Sequence, residues 1–307
     1  MLEINNLVEI YENFFDEKYS PDYVLDKIQT DTRDYLQKNN LENLILPISG
    51  GVDSALVAAI IHDMNIKSKY SNKFNLIGLS IPIENSEKHN ELADWVGKKF
   101  CDEYYRINTK NIYWNISTSI IDSIDDAKQL FDGKISDSIN LGNIKARLRM
   151  IVAYNIARAR NGIVLSTDNL SEYLMGFWTL HGDVGDLAPI QHLSKGYIIP
   201  KLAEYLGVKD EIIKQPPSDG LGVTKEDTDE AQLGASYKIV DAIILTYTYF
   251  IGENFNVPEE IKRLPSKDFY SLIFKNEKYY NIIRRYHNTE FKRNNPYKIK
   301  IFKIEGF

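Results

Sequence analysis

The chain has 307 residues, of which 43% are hydrophobic and 26% charged, a balance that is ordinary for a globular protein of one large domain or two small ones. Its formal net charge of −6 gives no long-range attraction for nucleic acid, and no apolar run reaches the roughly 18 residues that span a bilayer. The N-terminus lacks the basic and apolar regions of a signal peptide, so we expect a cytoplasmic protein with no nucleic-acid and no membrane partner.

The first half of the chain alternates predicted helices and strands. Ser20 and Pro21 are typical of a helix N-cap and first helical position, and Asn39 ends the helix that they begin. The elements predicted next are a strand at 43–48, a helix at 54–65, a strand at 74–81, a helix from Ser86 to Phe100, a strand at 103–107, a helical stretch at 110–132, a helix at 143–160 and a strand at 163–166. This alternation predicts an α/β fold, with a parallel sheet that helices cover on both faces.

The second half of the chain is richer in loops. One helix is expected after Asn169, a second at about 195–206 and a third from Gly234. We expect a single domain over residues 1–307, with a core at about 20–240 and a C-terminal extension at about 241–307. The part of the extension at about 241–285 carries no predicted function.

The run Ser49-Gly50-Gly51-Val52-Asp53-Ser54 lies between an apolar strand and an apolar helix. Its glycines allow the backbone to approach a ligand closely, and the helix that follows presents N–H groups and a positive dipole end to an anion. Such a loop suits a phosphate, and Asp53 suits a divalent cation bound to that phosphate. The lysine of the Walker loop is absent, so this is not a P-loop of that class. The alternative is a tight turn with glycines for steric reasons.

Several other motifs are ambiguous when each is taken alone. Asn143 and Arg147 share a helix face and could form part of a binding site, but a solvated basic surface would show the same spacing. Asp168 has an alternative interpretation as a helix cap, Glu172 as a solvated acid and Lys195 as an exposed lysine in a first helical turn. Because ligands of parallel sheets bind beyond the carboxyl ends of the strands, the loop at 49–54 and the segment from Thr167 are expected to share one crevice.

The single cysteine, Cys101, excludes an intrachain disulfide and a cysteine-rich zinc site. It lies near the end of a predicted helix, where a small buried hydrophobe is a better interpretation than a nucleophile. The five histidines show no close ligand spacing, so no transition-metal site is predicted.

Taken together, in this order and spacing, the motifs resemble those of the NAD synthetase family, which belongs to the N-type ATP pyrophosphatases. The loop at 49–54 resembles the SGGxDS loop of that whole group, whereas the segments 143–150 and 166–183 are similar to motifs specific to the family. The run Phe291-Lys292-Arg293-Asn294-Asn295-Pro296 looks like the terminal HKRxxP motif of the family. The resemblance covers about residues 20–240 and this C-terminal motif.

The resemblance implies an ammonia-dependent ligase that amidates deamido-NAD to NAD through an adenylated intermediate. Its small-molecule substrates would be ATP (as co-substrate), deamido-NAD and ammonia, its products would include AMP and pyrophosphate, and its metal would be Mg²⁺. It also implies a homodimer, for which the helices at about 110–132 and 143–160 are the candidate interface.

The same resemblance implies roles for individual residues. ATP binding falls to Ser49, Gly50, Gly51, Val52, Asp53, Ser54, Thr167, Lys195 and Ser218. Deamido-NAD binding falls to Asn143, Arg147, Asp183 and Lys292. Mg²⁺ binding falls to Asp53 and Glu172, and the catalytic residues would be Asp53, Asp183 and Lys195.

Two departures from the family pattern affect the expected site. Ile139 stands near the position where the family often has an aromatic residue that stacks on the nicotinate ring, and Phe291 stands where the terminal motif has histidine. Only about forty residues precede the first predicted strand, too few for the glutaminase domain of glutamine-dependent relatives, so free ammonia, or ammonia from a separate protein, is the expected nitrogen source. Two other functions remain open at this point: another adenylating ATP pyrophosphatase, of the GMP synthetase-like or tRNA-modifying type, and a nucleotide-binding sensor without turnover.

Overall fold

The computed structural model of the chain describes residues 2–67, 73–122, 138–218, 228–253, 255–297 and 299. Within these ranges four parallel strands form one sheet, in the order β3-β2-β1-β4. The strands are β1 Asn43–Pro47, β2 Asn75–Ser80, β3 Glu103–Arg106 and β4 Gly162–Val164. In the register of the sheet, Leu44 of β1 lies between Leu76 and Ile163 of its two neighbours. The predicted α/β class with a parallel sheet is confirmed.

Helices cover both faces of this sheet. Successive side chains along a strand point to opposite faces, so neighbouring residues pack against different helices. Leu44 and Leu46 belong to a large core cluster on one face, whereas Ile45 packs on the other face against Met150 and Ala153. The helices are α1 Ile4–Lys18, α2 Pro21–Lys38, α3 Val52–Lys67, α4 Glu87–Phe100, α5 Lys110–Asp122, α6 Ser138–Ala159, α7 Leu170–Met175, α8 Ile199–Tyr205, α9 Asp210–Ile213, α10 Asp229–Leu233, α11 Tyr237–Phe250, α12 Glu259–Arg263, α13 Ser266–Phe274, α14 Glu277–Asn288 and α15 Glu290–Arg293. In the part of the chain that the structure describes, no helix combines the length and the apolar character needed to cross a membrane.

The helix boundaries follow local capping signals where those signals are strong. Ser20 accepts a hydrogen bond from the backbone N–H of Tyr23, and Pro21 is the first residue of α2, as predicted. Ser86 caps α4 in the same way. Gly234, by contrast, was expected to begin a helix but ends α10, with a φ of +82° that favours glycine.

Three further differences separate the predicted and observed elements. Helix α1 was not predicted, although Leu7, Tyr11 and Phe15 recur at helical spacing and are buried. The helix expected at 195–206 begins only at Ile199, because the residues before it form turns. The predicted stretch at 110–132 is helical to Asp122, and its remainder lies outside the described residues.

The segment beyond residue 240 packs into the core that the sheet and its helices form. The Tyr11 and Thr246 hydroxyl oxygens are 3.1 Å apart in a buried contact between α1 and α11. From α14 and α15, Arg285 and Arg293 donate to the backbone oxygens of Met175 and Leu174, each at 2.9 Å. These bonds satisfy carbonyl groups at the C-terminal end of α7, the helix that carries Glu172.

Candidate active site

Residues 49–54 connect the carboxyl end of β1 to the first turn of α3. Gly50 has a φ of +90°, and a Cβ atom there would lie 2.6 Å from the backbone oxygen of His89, so a side chain does not fit. The Ser54 hydroxyl donates to the Gly51 oxygen, and the Gly51 N–H donates to Ser49 Oγ, each at 3.1 Å. The first N–H groups of a helix have no intrahelical acceptor, so this end of α3 is suited to an anion. The strand, turn and helix predicted around the loop are present.

Three predicted site residues from separate motifs meet beside this loop. Lys195 Nζ lies 2.7 Å from Asp53 Oδ2 and 3.0 Å from Glu172 Oε1. The side chains are only 8% exposed for Lys195, 17% for Asp53 and 14% for Glu172. Asp53 comes from the first turn of α3, Glu172 from α7 and Lys195 from the turns before α8. Lys195 is therefore not the exposed lysine, and Glu172 not the solvated acid, of the alternative interpretations.

A third carboxylate, Asp229 at the start of α10, also acts on the lysine, and we call Asp53, Glu172, Asp229 and Lys195 the lysine cluster. Burial alone lowers the pKa of Lys195, but the surrounding carboxylates outweigh it, and the pKa lies well above its ordinary value. Burial raises the pKa of Glu172, and the neighbouring Asp53 adds to the rise while Lys195 opposes it. The lysine is thus held protonated amid excess negative charge, which is an environment that suits a divalent cation.

The carboxylates of the lysine cluster are oriented by a capping box at the start of α7. Asn169 is the N-cap, its side chain accepts the N–H of Glu172, and Glu172 in turn accepts the N–H of Asn169. The Asn169 amide also donates to Asp53 Oδ1 at 3.1 Å, which joins α7 to the first turn of α3, directly after the loop at 49–54. The suggested capping role of Asp168 is therefore wrong. Asp168 is buried, accepts a hydrogen bond from Ser166, and has a pKa raised well above its ordinary value by burial.

Asn143 and Arg147 of α6 contact the segment that follows α7. The Thr179 hydroxyl donates to Asn143 Oδ1 at 2.8 Å, and Arg147 Nε donates to the Leu180 oxygen at 3.3 Å. The Thr179 N–H donates to Asp183 Oδ1 at 2.8 Å, so Asn143 and Asp183 are coupled through one threonine. Asp183 has an exposed surface and is not among the residues that line the cavity described next, and desolvation of its carboxylate by the surrounding chain raises its pKa.

A cavity of about 410 Å³ lies between the end of the sheet and the C-terminal helices. Tyr173 and Trp178 line it with rings nearly parallel at 3° and centroids 6.0 Å apart. Lys292 Nζ lies 5.5 Å from the Trp178 ring centroid and donates to the backbone oxygens of Gly176 and Trp178 at 2.8 and 2.5 Å. The other residues that line the cavity are Tyr154, Asp168, Leu180, His181, Gly182, Val184, Gln191, Arg293 and Asn295. Its size and mixed lining suit a small heterocyclic ligand.

Several predicted positions lie apart from these contacts. Thr167 is half-buried between β4 and α7, and Ser218 is exposed at the end of a described range, where its neighbour Asp219 lies outside the described residues. Ile139 is exposed at the start of α6 and is not among the cavity residues. Cys101 is half-buried at the end of α4, and burial raises the pKa of its thiol to about 12, as expected for an inert packing residue.

The site offers two carboxylates, which suits Mg²⁺ bound together with waters and phosphates and does not suit a metal that takes all its ligands from the protein. Within the described ranges no three His, Cys, Asp or Glu side chains cluster as metal ligands. Asp53 and Glu172 nevertheless lie on either side of Lys195 beside the loop at 49–54, and Mg²⁺ is commonly bound by one or two carboxylates with waters and substrate phosphates. Sequence reasoning missed Asn169, whose spacing to Glu172 is a capping-box signal. The run 229–237 belongs to the motifs that resemble the family, but the sequence assigned no role to Asp229 or Tyr237 within it.

The chain matches the NAD synthase family over residues 24–296. It is 31% identical over 289 residues to the NH(3)-dependent NAD(+) synthetase of Sulfurisphaera tokodaii, an alignment that covers 93% of this chain and 88% of the relative. It is 32% identical over 272 residues to the protein of the same description from Methanocaldococcus jannaschii, covering 84% of this chain and 94% of the relative.

Solved structures share the fold. NMN synthetase from Francisella tularensis has a TM-score of 0.70 at 24% identity, covering 93% of this chain and 100% of its own. NH3-dependent NAD synthetase from Campylobacter jejuni has a TM-score of 0.65 at 22% identity, covering 92% of this chain and 100% of its own.

Proposed function

The chain belongs to the NAD synthase family, and we propose that it makes NAD from deamido-NAD, ammonia and ATP, releasing AMP and pyrophosphate. The observation that carries the proposal is the meeting of Asp53, Glu172 and Lys195 beside the phosphate loop, next to a cavity for a heterocycle. The family match makes a GMP synthetase-like or tRNA-modifying enzyme the weaker alternative. A sensor without turnover would have no need for a lysine held between two carboxylates at the loop.

ATP phosphates bind where the loop at 49–54 meets the first turn of α3. Lys195 remains protonated there, and in the described residues its ammonium donates to Asp53 and Glu172, which leaves one of its three N–H donors for a phosphate oxygen. Asp53 and Glu172 would hold Mg²⁺, which when bound neutralises charge on the pyrophosphate portion. Thr167 and Ser218 are further proposed phosphate contacts at the two edges of this crevice.

The nicotinate end of deamido-NAD occupies the cavity, with its ring on Trp178 and Tyr173 in place of the aromatic residue missing at Ile139. Lys292 lies beside the same ring and is placed to attract the carboxylate, while Asn143 and Arg147 support the wall at 179–180. The chain thus supplies position and charge, which are the main requirements for attack on phosphorus.

The proposed reaction has two steps, adenylation of the nicotinate carboxylate and displacement of AMP by ammonia. A nicotinate carboxylate oxygen bonds to the α-phosphorus of ATP while the bond to the bridging oxygen breaks, and pyrophosphate leaves with that electron pair. Ammonia next bonds to the acyl carbon, the carbon–oxygen bond to AMP breaks, and the nitrogen loses a proton. We assign the acceptance of that proton to Asp183, since a carboxylate of raised pKa is a stronger base than an ordinary one.

Free ammonia is the proposed nitrogen donor. The relatives described as NH(3)-dependent align with this chain over 88% and 94% of their own length. Ammonium should therefore support NAD formation when glutamine alone does not.

A homodimer is proposed from the surface of α5 and α6. Ile112 and Trp114 of α5 and Ile151 and Tyr154 of α6 are all exposed, with Ile151 exposed by 63%. A two-fold interface would bring the same two helices of each subunit together and cover these side chains. Light scattering should give a dimer for the natural chain and a monomer for Ile151→Glu, whereas a natural monomer with full activity would contradict the proposal.

The proposed function is tested by incubating the purified chain with ATP, Mg²⁺, deamido-NAD and ammonium, and following AMP and NAD together. We expect the two products to form in equal amounts. Reactions with glutamine, and with the nicotinate mononucleotide in place of deamido-NAD, run in parallel. AMP without NAD, or faster turnover of the mononucleotide, would contradict the proposal.

A further inference from the structure

One buried carboxylate hydrogen-bonds to both residues that flank Lys195 in the chain. Asp241 of α11 is only 2% exposed, and its Oδ2 accepts the Ser194 hydroxyl at 2.5 Å and the Gly196 N–H at 2.9 Å. Ser194 and Gly196 are the immediate neighbours of Lys195 in the chain. A single oxygen atom therefore binds the side-chain hydroxyl on one side of the lysine and the backbone N–H on the other.

The same end of α11 also contacts the lysine side chain. The Tyr237 ring centroid lies 5.1 Å from Lys195 Nζ, and the Tyr237 hydroxyl donates to Asp229 Oδ2 at 3.0 Å. Gly196 packs so closely on α11 that a Cβ atom would lie 2.7 Å from the Lys238 nitrogen. Helix α11 therefore packs against the lysine cluster, and its residues from 241 onward belong to the segment for which the sequence predicts no function.

The contacts of Asp241 call for a side chain that accepts hydrogen bonds on two oxygens. Burial raises the pKa of Asp241 to about 6, while hydrogen bonds from Ser171, Ser194 and Gly196 oppose the rise. A carboxylate has one oxygen for Ser194 and Gly196 and a second for Ser171, whereas an asparagine has a single oxygen and would turn its amide hydrogens toward one of these partners.

We propose that Asp241 is a positioning residue for Lys195, which it holds at the distance from Asp53 and Glu172 that phosphate binding needs. The proposal rests on the proposed function, because it assigns the lysine a phosphate to bind. A displacement of about 1 Å at a group that positions substrate costs as much as a hundredfold in rate, so a fixed turn is a functional requirement.

The test is a double-mutant cycle of Asp241→Asn and Lys195→Ala in the full chain. The readouts are the affinity for MgATP by calorimetry, and kcat and KM for pyrophosphate exchange into ATP. Asp241→Asn should weaken MgATP binding or lower kcat by about tenfold, as loss of a charged hydrogen-bond partner does, with the KM for deamido-NAD little changed. In the Lys195→Ala background the same substitution should have almost no further effect.

Thr246→Val is the matched control, because Thr246 lies on the same helix and bonds to Tyr11, away from the lysine cluster. It should lower the urea midpoint of unfolding and leave kcat unchanged. If Asp241→Asn does not fold, Ser194→Ala removes the hydroxyl that donates to Asp241 and should show a smaller loss with the same dependence on Lys195.

Additive effects of Asp241→Asn and Lys195→Ala would overturn the positioning role, as would a loss in Asp241→Asn that matches Thr246→Val. If the natural chain binds MgATP but makes no NAD, the proposed function fails, and the cycle in MgATP affinity still decides the role of Asp241.

Discussion

Replacement of Lys195 by methionine should destabilise the protein because it leaves buried carboxylates without their cation. The ammonium lies 2.7 Å from Asp53 and 3.0 Å from Glu172, and all three side chains are less than a fifth exposed. Methionine has a similar length and keeps the packing against Tyr237, so the change acts mainly on charge.

The size of the effect follows from the burial of the pair. Removing one partner of a buried ion pair typically costs roughly 3–5 kcal/mol, because the other partner stays buried and uncompensated. Here two carboxylates lose their partner, with Asp229 adding further negative charge. Mg²⁺ that binds only the folded state at a hundred times its dissociation constant returns about 2.7 kcal/mol. Magnesium should therefore recover a large part of the loss.

Urea unfolding with and without MgCl₂ measures both effects. Lys195→Met should lose stability without magnesium and recover more of it on addition of the metal than the natural chain gains. Lys27→Met is the control, because Lys27 pairs with Asp31 in an exposed i,i+4 contact and its loss should not be measurable. Equal stability of Lys195→Met and the natural chain, or a magnesium response no larger than that of Lys27→Met, would refute the electrostatic reasoning.

Three further substitutions separate the roles of individual residues. Asp183→Asn removes the proposed proton acceptor, so NAD formation should fall further than pyrophosphate exchange, and equal losses in both assays would make Asp183 structural or part of the ATP site. Cys101→Ser should leave kcat unchanged. Because burial raises the thiol pKa to about 12, alkylation of Cys101 in the natural chain should be slow near neutral pH and should accelerate as pH rises. Fast alkylation with loss of activity would show a reactive cysteine. Gly50→Ala places a Cβ atom 2.6 Å from the His89 oxygen at a φ of +90°, so it should cost about 1–3 kcal/mol of strain and weaken MgATP binding, whereas unchanged binding by calorimetry would show that the loop is not tightly held.

The parts of the site that could be predicted from the sequence are those that local chemistry determines. The loop at 49–54 has its glycines, hydroxyls and flanking apolar runs within one short segment. The parallel sheet and the shared edge of its strand ends follow from the alternation of strands and helices, which explains why Asp53 and the segment from Thr167 share a crevice, whereas the strand order was not predicted.

Tertiary contacts determine the parts that could not be predicted. Asp168 and Asn169 are both suitable N-caps by residue type, and the choice of Asn169 depends on its bond to Asp53, 116 residues away. Asp241 interrupts an apolar helix, and its contacts with Ser194 and Gly196 cross 45 or more residues. The aromatic pair of the cavity depends on the path of the chain after α7, which turns Trp178 back toward Tyr173.

The measurement that tests the central claim most directly is exchange of labelled pyrophosphate into ATP in the absence of ammonium. In the proposed site the loop at 49–54 and the lysine cluster bind ATP beside the cavity that we assign to the nicotinate ring, so adenylation should proceed without the nitrogen donor. We predict exchange when deamido-NAD is added and none when it is omitted. Exchange that needs no deamido-NAD, or that is supported equally by an unrelated carboxylate or by tRNA, would contradict the account.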